Sequence, residues 1–419
     1  MVNTLQTILD KSHGVGDSPA TATVAAVRVW DESTQQYHGG QEWAHLPTFH
    51  EDFSVTTNGL GTPKGPLLAA RAALDICHHY PPADQEPSKT KLATFLAGDA
   101  GHADHAAVDN LHARLLLGNG ASELIDLVTR LAPPGKWRGG PSSIQYKEYE
   151  RAAIALDRAV LPPPPAERDG DDAVAKARAA GPDPDTAVMA IVNPNNPTGD
   201  YMAIAVLKAY IEKHARDDSV VIVDESMQLW YGPTWRDDSL VRQTAWIADL
   251  YATRRIAVYI MHSWTKIWSC TGLRLGSMLC PTAEHARTFK RVQVPWSVNV
   301  PGLAFLEAAV SPEEQPFLDE TWAKTSGWGA YLRERFERLR AHVGPSAATW
   351  TLHGEAFLSW VWIDFKDARV AEHVCGLARA AGTPVRPGAN GYNRPTCARL
   401  AVRPKDVTDI LFDALERGL

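Results

Sequence analysis

The sequence is poor in cysteine and has no long hydrophobic run. Its 419 residues include five cysteines, and no two of them form a CxxC pair. Sparse thiols of this kind are typical of proteins in a reducing compartment. No segment approaches the ~18 apolar residues of a membrane-spanning helix, and the first residues lack the pattern of a signal peptide. We therefore expect a cytoplasmic protein.

An excess of positive charge is also missing. The formal net charge is −7 and the pI is about 6.1, whereas proteins that bind nucleic acid or anionic membrane surfaces are usually basic. We expect neither as a partner, although a local cationic pocket could still bind a small anion. His102 and His105 form half of a metal-binding pattern without a second half, so no metal is expected.

What the sequence does contain is an alternation of short apolar runs and helical patterns. Each run ends in polar residues, and the runs lie at 114–117, 187–193, 219–225 and 256–263. This alternation predicts an α/β fold of three layers, with a mainly parallel sheet between helices. Ligands bind at the carboxyl ends of the strands in such sheets, so the polar ends of the runs are candidate site residues.

The alternation starts again in the last third of the chain and predicts a smaller α/β domain. We expect an N-terminal arm with part of the small domain over 1–60, a large domain over 61–305 and a small C-terminal domain over 306–419.

Two of the polar ends have alternative interpretations. The segment Gly118–Glu123 follows an apolar run and opens a helix, so its backbone amides could bind an anion. It could equally be an ordinary tight turn, because short glycine motifs are weak signals. Asp224 ends a strand, where a partly desolvated carboxylate needs a protonated partner or caps the next segment.

The stretch SWTKIWSCTGLRLG, residues 263–276, raises a similar question. Lys266 lies between two tryptophans, and Arg274 follows eight residues later. An amine in apolar surroundings loses its proton more easily and becomes a nucleophile toward carbonyls, although most lysines are simply solvated. The turn NPNNPTG, residues 193–199, is more distinctive, since its two Asn-Pro steps direct side-chain amides inward.

Taken in order, these motifs resemble those of pyridoxal-phosphate-dependent enzymes of fold type I, the fold of the class I/II aminotransferases. The motifs are GNGASE, QYKEYE, NPNNPTG, VDES, SWTK, GLRLG and RLAVR. Within that family the chain is similar to the branch of histidinol-phosphate aminotransferase and threonine-phosphate decarboxylase. The resemblance implies the aspartate-aminotransferase-like fold and the cofactor pyridoxal 5′-phosphate.

The resemblance assigns the catalytic roles to Lys266, Asp224 and Tyr146. Lys266 would form a Schiff base with the cofactor aldehyde and would then shuttle a proton. Asp224 would keep the pyridine nitrogen protonated, so that the ring acts as an electron sink. Tyr146 would stack on the ring, and Asn196 would donate to the ring oxygen O3′ and border the substrate.

The same resemblance predicts the residues that bind the cofactor phosphate. The phosphate would rest on Gly120, Ala121 and Ser122, with Ser263 and Arg274 completing its site.

Three further residues take roles at the substrate or in the neighbouring subunit. Tyr80 would reach the phosphate of the neighbouring subunit, which implies a homodimer. Arg399 would bind the substrate α-carboxylate, and Asn58 would line the substrate side.

One family feature is missing from the sequence. Position 227 often carries a tyrosine that donates to O3′, and here it is Met227, which cannot donate. We therefore expect a higher Schiff-base pKa than in relatives with tyrosine. The nearby Trp230, Trp264 and Trp268 either pack in the core or shape an apolar substrate pocket.

The implied function is a transaminase that moves an amino group between an amino acid and a 2-oxo acid. The alternative is an amino-acid decarboxylase or other lyase of the threonine-phosphate decarboxylase type. A phosphorylated substrate would need a second cationic group, for which Arg386 and Arg403 are candidates. A non-catalytic regulator is disfavoured, because Lys266 is present and residues 1–50 show no DNA-binding pattern.

Overall fold

The computed structural model describes residues 38–98, 104–162 and 184–419. His102, one of the two histidines considered above as half of a metal-binding pattern, lies outside these ranges. Within them, no group of three histidine, cysteine or acidic side chains is placed to bind a metal ion. No helix of the described ranges is long and apolar enough to cross a lipid bilayer.

Six of the described strands form one mixed sheet. They are β1 (Leu115–Asn119), β2 (Lys136–Gly139), β3 (Thr186–Val192), β4 (Val220–Asp224), β5 (Ala257–Ser263) and β6 (Leu275–Leu279). Their order is β1-β6-β5-β4-β3-β2. Five of them run in the same direction, and β6 alone runs in the opposite direction. The short connection 264–274 explains this, because a parallel crossover needs a longer segment. The predicted mainly parallel sheet is confirmed.

Alternate residues of the central strands face two separate hydrophobic cores. Met189 and Ile191 of β3 belong to one core, whereas Val188 and Ala190 belong to the other. Every residue of β3 is buried, as expected for a strand covered on both faces. The three-layer arrangement is therefore confirmed.

Thirteen α-helices of the described ranges pack around the sheets. They are α1 (Lys64–Ala72), α2 (Ser88–Ala97), α3 (His105–Arg114), α4 (Gly120–Leu131), α5 (Glu148–Ala155), α6 (Ile204–His214), α7 (Thr244–Arg254), α8 (Ala283–Val292), α9 (Val300–Ala309), α10 (Gln315–Val343), α11 (Ala368–Ala380), α12 (Ala389–Tyr392) and α13 (Lys405–Gly418).

A second, antiparallel sheet lies in the C-terminal part of the chain. Its strands, in the order β7-β8-β10-β9, are β7 (Thr351–His353), β8 (Trp360–Asp364), β10 (Cys397–Ala401) and β9 (Arg386–Pro387). Helices α11 and α13 pack beside it and close a third core that contains Val374 and Phe412. The predicted second α/β unit therefore has its own sheet and core.

Two segments connect the N-terminal and C-terminal parts. Phe53 pairs with Val385 in a parallel bridge and is buried in the third core. Helix α10 contributes Leu318 to the first core and Phe336 to the third. We propose on this basis that residues 38–60 join the small domain, with the large domain at 61–305 and the small domain at 306–419; residues 1–37 of the predicted arm lie outside the described ranges.

Candidate active site

The predicted catalytic residues meet at the carboxyl edge of the large sheet. Asp224 is the last residue of β4, the NPNNPTG turn follows β3, and Lys266 follows β5. Because these strands are parallel neighbours, their carboxyl ends lie side by side. Gly120 follows β1, which runs in the same direction as β5 since both are antiparallel to β6.

Lys266 lies in the turn after β5, where its surroundings disfavour the charged amine. Burial, together with the nearby cations Arg399 and Arg274, lowers the pKa of Lys266 to about 8, and the Asp224 carboxylate opposes this shift. A substantial fraction of this amine is therefore neutral at mildly alkaline pH, unlike an ordinary lysine.

The tryptophans around Lys266 belong to the core. Trp264 and Trp268 are almost fully buried and pack against each other with 5.3 Å between ring centroids. The Trp264 indole donates to Ser277 Oγ at 2.9 Å, and Trp230 lies in the same core. All three tryptophans therefore pack in the first core.

Asp224 is a buried carboxylate with few compensating partners. Its Oδ1 accepts from the Ser226 amide at 2.8 Å. Burial raises the pKa of Asp224, while hydrogen bonding from Ser226 and the charge of Lys266 oppose the rise. The raised pKa means that the hydrogen bonds and the positive charge around Asp224 do not fully offset the cost of burying its carboxylate. A protonated ring nitrogen would supply a further positive charge.

Tyr149 is a site residue that the sequence analysis missed. It lies in α5, is fully buried, and burial together with the Asp224 charge raises its pKa well above the ordinary value. Its signal was in QYKEYE, where Tyr149 follows Tyr146 by three residues. The Tyr146 and Tyr149 rings pack edge to face with centroids 6.3 Å apart, and the His38 ring lies 5.6 Å from Tyr146.

The NPNNPTG turn uses two of its amides to hold itself and directs the third toward the site. The Asn193 side chain bonds both backbone groups of Met202, and Asn195 Nδ2 donates to Ile144 O and Thr198 Oγ1. Asn196 differs, because its Oδ1 accepts from Arg399 Nη1 at 2.5 Å. The predicted inward amide is therefore Asn196.

Arg399 joins three parts of the chain at the site. It lies on β10, and besides Asn196 it contacts the N-terminal segment, where Nη2 donates to Ser54 O at 2.5 Å. Its Nε is buried and has no hydrogen-bond partner among the described residues. Burial lowers the pKa of Arg399, because it disfavours the charged form of the guanidinium. A bound anion would offset this cost and stabilise the charge.

The start of α4 forms a compact anion site with Arg274. Gly120 has φ +73°, its amide donates to Arg274 O at 2.9 Å, and a Cβ there would lie 2.4 Å from Arg274 Nη2. A Cβ at Gly276 would lie 2.4 Å from the Ala121 nitrogen, so β6 can approach the helix only with glycine. Ala121 and Ser122 follow in the first turn, whose free amides and dipole favour an anion.

Ser263 is the last residue of β5 and pairs with Gly276 of β6. Its amide donates to Ser226 Oγ at 2.7 Å, and its hydroxyl lies 2.9 Å from Thr265 Oγ1. Ser263 as a whole is only partly buried, as expected of a residue that can still reach a ligand.

These residues fit pyridoxal 5′-phosphate. The glycine-lined helix start with its arginine suits a phosphate, the buried carboxylate suits a protonated ring nitrogen, and the amine with lowered pKa suits an aldehyde.

Asn58 and Tyr80 are placed differently from the other predicted residues. Asn58 Nδ2 donates to Ile267 O and Thr321 Oγ1, and Oδ1 accepts from the Leu60 amide. The Asn58 side chain therefore binds the backbone of the turn that contains Lys266. Its role at the substrate stays a prediction. Tyr80 is 76% exposed, and its ring stacks on Trp296 with centroids 4.2 Å apart.

Arg386 and Arg403, the two arginines considered for binding a substrate phosphate, have different surroundings. Arg403 ties the N-terminal segment to the small domain through Glu51, Asp52 O and Thr57, which gives it a structural role. Arg386 lies directly opposite Arg399 in the pairing of β9 with β10 and is buried. Burial lowers the pKa of Arg386 to about 10.

Comparisons with known proteins agree with this geometry. The family model of aminotransferase class I and II matches residues 60–415. A histidinol-phosphate aminotransferase of Bdellovibrio bacteriovorus is 29% identical over 70% of this chain and 74% of its own length. Histidinol-phosphate aminotransferase 1 of Cupriavidus pinatubonensis is 28% identical over 86% of both chains.

A solved structure shows the same fold. Histidinol-phosphate aminotransferase from Sinorhizobium meliloti, in complex with pyridoxal-5′-phosphate, has a TM-score of 0.67 and 19% identity, and covers 95% of this chain and 98% of its own. The chain therefore belongs to the family of class I and II aminotransferases, with PLP fold type I, pyridoxal 5′-phosphate as its cofactor and amino-group transfer as its activity.

Proposed function

We propose that Lys266 holds the cofactor through a covalent carbon–nitrogen bond and carries the proton during amino transfer between an amino acid and a 2-oxo acid. The observation that supports this most directly is the position of the amine. It lies in the buried turn after β5, near Asp224, Arg274 and Arg399, and its pKa is lowered to about 8. A neutral amine can bind an aldehyde, and once released it can accept a proton from the substrate carbon.

The other catalytic roles follow from the same edge of the sheet. When bound, pyridoxal 5′-phosphate supplies an electron-withdrawing ring that stabilises negative charge on the substrate carbon. We propose that Asp224 keeps the ring nitrogen protonated, that Tyr146 covers one ring face and that Asn196 Nδ2 donates to the ring hydroxyl oxygen. The raised pKa of Asp224 supports the first role, since a cationic partner relieves the cost of burying its charge.

The cofactor phosphate has a separate set of partners in this proposal. The phosphate lies against Gly120, whose own amide is bonded to Arg274 O, and accepts from the amides of Ala121 and Ser122 in the first turn of α4. Arg274 and Ser263 bind it from the other side of the site. The close packing of Gly120 against Arg274 supports a phosphate at this point, because it brings a guanidinium beside the free amides.

At the substrate end, we propose that Arg399 binds a carboxylate, with Asn196 and Asn58 bordering the substrate. Arg386 faces Arg399 across the strand pair, so two buried guanidiniums lie on one side of the site. This pair favours an amino donor that carries a strongly anionic group, such as a phosphate. The relatives named histidinol-phosphate aminotransferases support the same substrate class.

We propose a homodimer in which Tyr80 reaches the cofactor phosphate of the neighbouring subunit. Helix α1 packs against α9. Large apolar side chains are exposed on α1, on the segment that follows it, at the end of α8 and in the α8–α9 connection, which also contains Trp296, the stacking partner of Tyr80. They are Leu68, Leu74, Ile76, Val292 and Val294. An apolar surface of this kind marks a protein contact, and a second copy of the chain is the partner that the Tyr80 role requires.

We also propose a cytoplasmic location. All five cysteines are free thiols in the structure, which agrees with a reducing compartment.

The covalent anchor is tested by trapping. Purified protein with added pyridoxal 5′-phosphate is reduced with borohydride and digested, and mass spectrometry is expected to find the adduct on Lys266. Lys266→Ala is expected to lose the adduct and at least about 10²–10⁴-fold in activity, while Lys213→Ala, an exposed lysine of α6, keeps both. An adduct at another lysine, or none, would contradict the proposal.

Amino transfer and the lyase alternative are separated by product analysis. The holoenzyme is mixed with a panel of amino acids and amines, with and without a phosphate. Amination of the cofactor that a 2-oxo acid reverses is the expected result. Release of carbon dioxide without that amination would support the decarboxylase alternative instead.

A further inference from the structure

Tyr392 is a buried tyrosine of the small domain that reaches the active site. It ends α12 and is 5% exposed. Its hydroxyl lies 3.3 Å from Asn196 Oδ1 and donates to it. The two residues are far apart in the sequence, since Asn196 lies in the turn after β3 and Tyr392 at the end of α12, so the contact exists only because the C-terminal part of the chain packs against the carboxyl edge of the large sheet.

The surroundings of the Asn196 amide fix which way it faces. Its Oδ1 accepts from Tyr392 Oη and from Arg399 Nη1. A guanidinium can only donate, so a flipped amide would place its NH2 group against an N–H donor. With both lone pairs of the oxygen engaged, the Nδ2 group must point to the other side, where it makes no hydrogen bond with the described residues.

The Tyr392 ring is itself held in one position. It packs edge to face on Trp362 with centroids 5.8 Å apart, and the Arg386 guanidinium lies 5.7 Å from its centre. Ile144 and Cys397 complete this small cluster. A side chain with these contacts is pre-organised, so its hydroxyl can orient a neighbour without a loss of its own conformational entropy.

We infer that Tyr392 is a positioning residue for the cofactor's ring oxygen, acting through Asn196; this rests on the proposed function of Asn196 as the donor to that oxygen. By donating to Oδ1, Tyr392 aims Nδ2 at the ring oxygen and polarises the amide, which strengthens the N–H as a donor. It acts in place of a tyrosine at position 227, where Met227 is buried in the first core. The hydroxyl comes from the small domain instead of from the strand-end motif.

The test is the pH titration of the visible absorption band of the holoenzyme. A donor to the ring oxygen stabilises its negative charge when the bound Lys266 nitrogen loses its proton, so a weaker donor raises the titration midpoint. Tyr392→Phe is expected to raise the midpoint by about half a unit to one unit. Its ring contacts remain, so the unfolding temperature should change little, and Tyr331→Phe, whose hydroxyl donates to Asp409 away from the site, should leave the midpoint unchanged.

A double-mutant cycle identifies the path through Asn196. Asn196→Ala alone should raise the midpoint at least as far as Tyr392→Phe does, and adding Tyr392→Phe to it should have no further effect. A midpoint that Tyr392→Phe does not move, or full additivity of the two changes, would overturn the inference. A wild-type holoenzyme with no titrating visible band would contradict the proposed covalent anchor itself, which is a different failure.

Discussion

Arg399 illustrates how a single side chain combines charge and geometry at this site. Its guanidinium spans Asn196 and Ser54, and a lysine ammonium cannot hold both while also binding a carboxylate in a bidentate manner. Arg399→Lys is therefore expected to raise the KM for the amino donor by about ten- to a hundredfold, the cost of one or two charge-assisted hydrogen bonds. Steady-state kinetics with a carboxylate-bearing donor measures this effect.

The matched control is Arg369→Lys, an exposed arginine on α11, which should leave the KM unchanged. Equal KM values for Arg399→Lys and the wild type would show that the carboxylate binds elsewhere.

Glu225, next to Asp224, is a second residue whose charge is costly to bury. It accepts from Ser239 Oγ and the Leu240 amide. Burial raises its pKa to about 7 against these hydrogen bonds, and the charges of Asp224 and Asp238 add to the rise. Its other neighbour is His262, at 3.9 Å, whose pKa burial lowers to about 3, so the histidine supplies no positive charge.

This raised pKa predicts a pH-dependent penalty on stability. Between the ordinary pKa of 4.5 and about 7, the folded protein keeps a proton on Glu225 that the unfolded chain has lost, so its contribution to stability falls as pH rises through this window. Glu225→Gln removes the titration. The free energy of unfolding of the variant, minus that of the wild type, should therefore be about 2–3 kcal/mol larger at pH 8 than at pH 5, which means that the variant gains stability over the wild type as pH rises.

Denaturant unfolding at the two pH values measures the difference, and Glu337→Gln, an exposed residue paired with Arg340, should show none. The same change in free energy at both pH values for Glu225→Gln would mean that the carboxyl is ionised in the folded protein throughout.

At the scale of secondary-structure elements, the junction between β1 and α4 is the most constrained part of the site. Gly120→Ala would place a methyl group 2.4 Å from Arg274 Nη2 and force an alanine into a left-handed conformation, which costs about 1 kcal/mol or more. The guanidinium has to move, so the affinity for pyridoxal 5′-phosphate should fall by about ten- to a hundredfold, the value of a charged hydrogen bond.

Fluorescence titration of the apoprotein with the cofactor measures that loss. Gly272→Ala is the matched control, because it lies two residues before Arg274 and a Cβ there meets no atom within 4 Å. If both variants bind the cofactor equally well, the phosphate does not rest on this helix start.

At the scale of the whole molecule, the exposed apolar surface around Tyr80 predicts the oligomeric state. Val294 is 65% exposed, and Val294→Asp would bury a charge in the proposed dimer contact. We expect this variant to sediment as a monomer at concentrations where the wild type is a dimer. We also expect it to bind the cofactor more weakly, since Tyr80 of the neighbouring subunit is lost.

Val206→Asp serves as the control, because Val206 is similarly exposed, at 57%, but lies on α6, away from Tyr80 in the chain. A wild-type protein that sediments as a monomer with full cofactor affinity would refute the dimer and the Tyr80 role together.

Much of the architecture could be predicted from the chain because local patterns determine it. The β-branched runs before NPNNPTG and after α6 became β3 and β4, since a strand buried on both faces needs apolar residues at every position. The lysine turn and the glycine-rich helix start took on a predicted role only through their order among the other motifs, because each one alone also fits a solvated lysine or an ordinary tight turn. The antiparallel direction of β6 was not predicted, as it depends on the length of a connection instead of a pattern.

The sequence by itself determined which groups are candidates for the chemistry: an amine among tryptophans, a carboxylate at a strand end and an arginine near a glycine turn. Only the tertiary structure decided how distant segments complete the site. Arg399 meets Asn196, and Tyr392 reaches the same amide, because two cores pack together, and no local pattern records such a contact. The physical reason is that propensity and periodicity act over a few residues, whereas the orientation of a buried amide depends on donors from anywhere in the chain.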